Sequence, residues 1–513
     1  KGGEMTTTLY RGCLVMRDAR SPFDFSPQDI LVDGERISAI EPSGTIDSAD
    51  EIVDATGTLA AAGMINGHFH SWDHYIKGRV ENLPMELMMP YLRPAKPLQL
   101  TDRQVYLRTM AGAIESLRTG ATTIVDDMSL GPSLNRGHAD AALQAYEDSG
   151  VRAYLGFSMI NRPIVDSWPF VEECFSPDLL EQLRALPRPA GEDLLGLVRD
   201  LANTHHPASR RVGVLVAPSA PHRCTDTFLK ECRELAEELD LPTIIHVLET
   251  RLMAITADEF YGRSMIQHLD DIGFLAPKTS LIHAVWLTPG DREVISRTGA
   301  TVQYNPFSNT VLGAGVLDLR ALQEAGINVS MGSDGCGIPF NCSMNTTIKF
   351  GACLPRIRDA DYDKWPTSAD IWEAATVGGA VAFGREKDLG RLEPKYKADF
   401  VLYRLDSSGL LPLNVPVRQL VHGETVGGID TVVVDGQIVL QGGKLTLIDE
   451  DAIIAELQAV HAELKDQIMG SEDSARPVFE GVEKAYRMAL QRPVARDMTR
   501  ALLEDHAQNA KPK

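Results

Sequence analysis

No CxxC pair occurs in this chain of 513 residues, and its seven cysteines, Cys13, Cys174, Cys224, Cys232, Cys336, Cys342 and Cys353, are odd in number and widely scattered. That pattern argues against both a cysteine zinc site and a disulfide framework, and reduced thiols in a cytoplasmic protein are expected. No apolar run reaches the roughly 18 residues needed to cross a bilayer or reads as a secretory leader, so a soluble chain is expected. Basic residues are in deficit, 50 against 71 acidic ones, for a net charge of −21. Such a surface repels phosphate backbones and anionic lipid, so neither nucleic acid nor a membrane is expected as a partner. Neither a GxGxxG nor a GxxxxGKS loop follows the first strand of the main body, which weakens dinucleotide and nucleoside-triphosphate binding.

What is present begins with 44% apolar residues, ample for a large core. Two segments look alike. Ile30–Ile40 reads as a hairpin about Asp33-Gly34, and Val432–Leu440 repeats the pattern about Asp435-Gly436. An Asp-Gly pair between alternating apolar residues is a strong hairpin signal. With the β-rich runs at 8–16 and 398–405, this predicts a small discontinuous β-sandwich domain from residues 5–62 and 386–447.

Between the flanks, eight short β-rich runs alternate with helical patterns: Gly63–Gly67, Thr122–Asp126, Arg152–Phe157, Val212–Ala217, Pro242–His246, Thr279–His283, Ala300–Tyr304 and Asn328–Gly332. Helices are expected over Asp102–Thr119, Asp226–Leu239 and Pro289–Thr298. Repeated β-α alternation predicts parallel strands with crossover helices, and the count of eight favours an α/β fold of the (β/α)8 TIM-barrel type over residues 63–385. Residues 448–513 read as a C-terminal helical extension, with helices over Ala452–Ile468, Val478–Leu490 and Val494–Asp505, packed on the barrel or on a neighbouring subunit, and a disordered end at Asn509–Lys513.

Most of the thirteen histidines fall in expected helices, loops or the β flank and read as surface or packing residues. Four do not. His68 and His70 stand two apart after the first barrel strand, so both imidazoles point to one side of an extended stretch. His246 ends the fifth strand, His283 the sixth, and Asp334 follows the eighth. All five lie at C-terminal strand ends, the face on which barrel enzymes place their active sites. Singly, each has a bland reading as a strand-end hydrogen-bonding residue or turn cap. Together they need one shared cause. Three imidazoles and one carboxylate from His68, His70, His246 and Asp334 suit one divalent ion, zinc first and also iron(II), cobalt(II) or manganese(II). Lacking thiolate, such a site fits catalysis through an activated water. Glu249, three residues after His246, can reach the same mouth and shuttle a proton. His283 is either a further ligand or a group that polarises substrate. Trp72, His74, Trp286 and Phe307 are candidate walls for a planar substrate, and Asn309 belongs to the same group of candidate substrate contacts.

These residues sit in segments that resemble the amidohydrolase superfamily. The segments are His68-Phe69-His70, His246 with Glu249, Leu281-Ile282-His283-Ala284-Val285-Trp286-Leu287, Asn305-Pro306-Phe307-Ser308-Asn309, Gly332-Ser333-Asp334-Gly335 and Gly390-Arg391-Leu392-Glu393-Pro394 with Lys397-Ala398-Asp399-Phe400. The resemblance runs from about Leu9 to about Leu445. It points to the branch of cytosine, guanine, 8-oxoguanine and methylthioadenosine/S-adenosylhomocysteine deaminases and triazine hydrolases. It implies that His68, His70, His246 and Asp334 are ligands, that Asp334 doubles as a base, that Glu249 is the proton shuttle and that His283 orients substrate or hydroxide. Binuclear relatives carry a lysine after the fourth strand. Ala217-Pro218-Ser219 has none, so one metal is expected. The run Gly335–Ser343 departs from the Asn-rich segment of adenosine-type relatives, which leaves the substrate open.

The function expected is hydrolysis of a carbon–nitrogen bond, foremost deamination of a planar nitrogen heterocycle. Removal of an N-alkylamino or chloro substituent of a triazine, or cleavage of a urea or carbamate, is the alternative. A non-catalytic scaffold would have lost ligands that this chain keeps. The family habit implies a homo-oligomer, dimer or tetramer.

Overall fold

The computed structural model describes residues 6–131, 134–338 and 340–494. Five strands precede the central body: β1 (Thr7–Met16), β2 (Gln28–Asp33), β3 (Arg36–Pro42), β4 (Glu51–Asp54) and β5 (Thr58–Ala62). Eight make the central body: β6 (Met64–Phe69), β7 (Ala121–Met128), β8 (Arg152–Phe157), β9 (Val212–Val214), β10 (Thr243–Val247), β11 (Thr279–His283), β12 (Thr301–Tyr304) and β13 (Val329–Met331). Four follow it: β14 (Phe400–Arg404), β15 (Ile429–Val434), β16 (Gln437–Gln441) and β17 (Lys444–Leu445).

The two flanks form one nine-stranded sheet in the order β17-β16-β15-β14-β5-β1-β2-β3, with β4 also on β1. The seam is the antiparallel pair β5–β14, Ala62 opposite Phe400 through Thr58 opposite Arg404. The small residues Ala60, Ala61 and Ala62 let this strand be buried on both faces. Both expected hairpins form, with different turns. Asp435 and Gly436 take φ of 53° and 80°, as a type I′ turn demands. At the other hairpin Asp33 pairs with Arg36, so the turn is Gly34-Glu35, one residue later than read from the Asp-Gly pair, and Gly34 alone takes a positive φ, 56°. The two turns meet. Lys397 Nζ lies 2.5 Å from Glu35 Oε1 and 3.1 Å from Asp435 Oδ1.

The eight central strands form two four-stranded parallel sheets, β6–β9 and β10–β13. Every residue in them is buried, which is why they read as near-continuous apolar runs. Hydrogen bonds cross both gaps between the sheets. Ile244 N–H donates to Val216 O at 3.0 Å, and Asp334 N–H donates to His68 O at 3.0 Å.

Arg152 on β8 ties this body to the flanking sheet. It is 1% exposed and donates to both oxygens of Asp399, at 2.7 and 3.0 Å, and to Asp435 Oδ1 at 2.7 Å. Removing one partner of a buried ion pair strands the other charge. Arg152→Met is therefore expected to destabilise the fold by about 3–5 kcal/mol in urea unfolding, and an unchanged midpoint would contradict that role.

The extension is one 41-residue helix, Glu450–Leu490, rather than separate helices over Ala452–Ile468 and Val478–Leu490. Pro477 lies inside it, at a usual cost of about 3 kcal/mol. The buried stripe explains the continuity. Ile453, Val460, Leu464, Ile468, Ser471, Ala475, Val478, Val482, Ala485 and Ala489 continue at helical spacing across the proline. The helix packs on its own chain, aided by Arg118–Glu450, Arg103–Glu456 and Arg79–Glu472 pairs. Of the third expected helix, Val494–Asp505, all but Val494 lies outside the described residues, as does Asn509–Lys513. No described helix is long and apolar enough to cross a membrane. All seven cysteines are free, six of them buried.

Candidate active site

The end of β6 sets the first half of the site. His68 and His70 face inward, while Phe69 between them packs outward against Gly112 of the helix Asp102–Arg118, where a Cβ would fall 2.4 Å from its ring. His246 on β10 and His283 at the end of β11 come in from the second sheet. The His68 ring centroid lies 4.6 Å from that of His70, 4.8 Å from His246 and 6.0 Å from His283. Asp334 completes the group: its Oδ1 is 3.4 Å from both His68 Nε2 and His70 Nε2, and its Oδ2 is 3.8 Å from His283 Nε2.

Backbone geometry aims these groups. His283, Ala284, Leu248 and Asp334 all adopt left-handed conformations, φ 70°, 46°, 45° and 66°. Non-glycine residues do so at a cost of about 1–3 kcal/mol each, and they persist where surrounding bonds over-determine them. Gly332 is required just before Asp334, since a Cβ there would stand 2.7 Å from His68 N and 2.6 Å from Gln303 Nε2.

Each imidazole but one is oriented by its far nitrogen. His70 Nδ1–H donates to Asp127 O at 2.7 Å, and His246 Nδ1–H donates to Ser219 O at 2.9 Å. His283 Nδ1 has Asn309 Oδ1 at 2.9 Å and Asn305 Nδ2 at 3.3 Å, and the shorter contact puts the proton on Nδ1. These bonds leave the Nε2 lone pairs directed at the centre, the arrangement found behind metal-ligating histidines. His68 is buried with neither ring nitrogen hydrogen-bonded. Burial lowers the pKa of all four imidazoles, keeping them neutral as ligands must be. Burial alone would raise Asp334, but the His68, His283 and His70 rings outweigh it and hold its carboxyl well below the usual range. Asp334 Oδ2 also accepts from Ser308 Oγ at 2.6 Å and Oδ1 from Gly335 N at 2.8 Å. A converging set of neutral imidazoles around one ionised carboxylate fits a divalent ion.

Glu249 is buried beside this group, with Oε1 3.6 Å from His283 Nε2. Burial, then the charges of Asp334 and Glu86, push its carboxyl well above the ordinary value.

The other candidates separate. Trp72 lies against His70, ring centroids 5.7 Å apart, and lines a cavity of about 390 Å³. Its companions there, Ser129 and Ser158, follow the C-terminal ends of β7 and β8, the same end as the histidines. His74 packs on Phe69 and belongs to a different polar group with Asp73, Cys336, Glu115 and Cys342. Trp286 is buried, its Nε1–H on Ala314 O. Phe307 packs on Phe350 at 4.6 Å. Asn309 places Oδ1 on His283 Nδ1, and its Nδ2 is buried without a partner among the described residues.

Several groups had no sequence signal. Asp126 anchors the turn after His70 by accepting from Ser71 N and Tyr146 Oη. Glu86, Arg93 and Arg223 act through Thr250, Ser158 and Ser219, partners set by the fold.

A model of the amidohydrolase family matches residues 59–439. The chain is 32% identical over 416 residues to a 5-methylthioadenosine/S-adenosylhomocysteine deaminase of Thermococcus kodakarensis, covering 80% of this chain and 89% of that protein. It is 30% identical over 461 residues to a 5'-deoxyadenosine deaminase of Methanosarcina mazei, covering 90% and 99%. Among solved structures, an adenosine deaminase from Xanthomonas campestris with bound zinc superposes with a TM-score of 0.79 at 22% identity over 90% of this chain and 98% of that one, a likeness of fold. The motifs, the converging histidines and the match over most of its length agree: this chain belongs to the amidohydrolase family.

Proposed function

We propose that this protein is a mononuclear metal-dependent aminohydrolase that replaces the amino group of a planar nitrogen heterocycle, an aminopurine in the first instance, with oxygen. The observation that carries the reading is the placement of two carboxyls about one imidazole: Glu249 Oε1 is 3.6 Å and Asp334 Oδ2 3.8 Å from His283 Nε2. The names of the relatives, deaminases of adenosine derivatives, support the substrate class.

His68, His70, His246 and Asp334 would hold the ion, zinc first and iron(II), cobalt(II) or manganese(II) by the same donor chemistry, and it would supply Lewis acidity toward a water. Asp334, held ionised, accepts the proton of the attacking water. Glu249, whose burial favours the protonated form, donates to the ring nitrogen next to the reacting carbon. Left ionised, it takes the proton that Asp334 received and passes it to the departing amine, and the hydroxyl proton released as the carbonyl forms restores it. His283, its proton pinned on Nδ1 by Asn309, presents Nε2 as an acceptor between the two carboxyls.

The eight central strands are proposed to close as a (β/α)8 barrel, a reading supported by the hydrogen bonds across both gaps between the parallel sheets. On the same reading residues 5–62 with 386–447, 63–385 and 448–513 are three structural units. Free cysteines throughout support a cytoplasmic setting.

Ammonia release tests the function. Chelator-stripped protein is expected to be inactive on a panel including 5'-deoxyadenosine, adenine, guanine and cytosine, and to regain activity with one equivalent of zinc. Release of alkylamine or halide from substituted triazines, with no ammonia from any amino-heterocycle, would overturn it. Asn309→Ala frees the His283 ring and is expected to lower kcat about 10–100-fold with metal content unchanged. Steady-state kinetics showing an unchanged kcat would remove Asn309 from the positioning role.

A further inference from the structure

The cavity beside Trp72 has walls unlike the rest of this acidic chain. Arg93, Arg108, Arg162 and Arg188 line it, and no aspartate or glutamate does among the described residues. Its other walls are mostly apolar, among them Leu98, Phe157 and Trp168, with Ser129 and Ser158 beside Arg93. At about 390 Å³ it falls within the range of small-molecule sites, about 300–1,000 Å³.

Arg93 has no carboxylate within ion-pair distance among the described residues. Its guanidinium donates to Ser158 Oγ at 2.8 Å and Ser129 Oγ at 3.3 Å, and its Nε is buried without a partner. Among the described residues Arg108 donates only to the carbonyls of Trp72 and Ser129, and its Nε is also unpartnered. Trp72 Nε1 is a third orphaned donor on the same cavity. Burial pushes both guanidinium groups down to about 10, although Asp127 acts on Arg93 in the opposite sense and Asp126 and Asp73 do so on Arg108. Four arginines on a wall with no described carboxylate favour an acceptor-rich anion, whose charge theirs would offset.

Trp72 joins this cavity to the histidines. Arg93 Cζ lies 5.3 Å from the Trp72 ring centroid on one side, and the His70 ring lies 5.7 Å away on another. We propose that the cavity is the subsite for an anionic arm of the substrate, a carboxylate carried on a short apolar chain, held at Arg93 while the heterocycle lies at His70. The position of the reacting ring rests on the deaminase reading above. The anion site does not. A guanidinium reads a carboxylate through paired N–H donors, which a lysine cannot reproduce.

The probe is 4-phenylbutanoate, with 4-phenylbutanamide as its neutral counterpart, titrated calorimetrically into the full metal-loaded chain. The carboxylate is expected to bind about 10–100-fold tighter than the amide, the usual gain from a charge-assisted hydrogen bond in a buried site. Arg93→Met is expected to erase that preference and Arg93→Lys to keep part of it. Turnover is compared with 4-(adenin-9-yl)butanoate and 9-butyladenine, and kcat/KM is expected to favour the acid by a similar factor in wild type only. Equal binding of acid and amide by wild type would overturn the proposal. Tight, Arg93-dependent binding of the acid without ammonia release from either adenine would sustain the anion site and count against the deaminase reading instead.

Discussion

Glu249→Gln is expected to lower kcat for ammonia release by about 10²–10⁴-fold, the range for losing a positioned proton-transfer group, while leaving the metal content unchanged. Glutamine keeps the size and hydrogen-bonding shape of a neutral carboxyl but cannot give up a proton. The Glu249 carboxyl is buried and pushed well above its ordinary value, so the folded protein already accommodates an uncharged group there. The substitution therefore strands no charge, and the thermal midpoint is expected to hold. Glu249 is separated from the proposed ligands by His283, with Oε1 3.6 Å from His283 Nε2, which is why metal binding is expected to survive. Kinetics and elemental analysis on the same sample make the check. Full activity in the variant would remove the proton shuttle from the mechanism.

Asp334→Asn is expected to abolish turnover, by about 10⁴-fold or more, because it alters a ligand and a base together. Both carboxylate oxygens now accept hydrogen bonds, Oδ1 from Gly335 N at 2.8 Å and Oδ2 from Ser308 Oγ at 2.6 Å. An amide offers one acceptor, and its NH₂ is forced toward Ser308, whose hydroxyl can turn to accept. The remaining oxygen carries no charge to set against a divalent ion. Metal affinity is expected to fall with activity, read by competition with a chromophoric chelator, in a variant whose circular dichroism is unchanged. Wild-type activity in a metal-replete variant would contradict both roles.

Much of this site was legible because parallel strands buried on both faces leave little room for polar residues. A histidine or aspartate at the end of such a run is conspicuous, and His68 with His70, His246, His283 and Asp334 stand at or just after the ends of four of them. The resemblance to the amidohydrolases, read from those same segments, is borne out by the family match. Contacts that depend on loops were not legible. Asn309 looked like a substrate contact, yet its side chain holds His283. Arg93, Arg108 and Trp72 lie far enough apart in the chain that only the fold brings them around one cavity. His222 and Arg223 passed unremarked for the same reason. The helix Glu450–Leu490 shows the limit of local rules. Pro477 signals a break, but a buried stripe spanning ten turns or more outweighs one missing hydrogen bond. At the Gly34-Glu35 turn the Asp-Gly pair marked the hairpin but not its register, which the pairing of Asp33 with Arg36 sets.

The central claim is that neutral imidazoles from two sheets and one ionised carboxylate share a single ion. X-ray absorption at the zinc edge, on stripped chain given one equivalent of zinc, addresses it directly. The account predicts a shell of nitrogen and oxygen donors with the outer signal of several imidazoles and no sulfur, lost in His68→Ala. A sulfur shell, as from Cys336 or Cys342, or a spectrum that His68→Ala leaves unaltered, would contradict it.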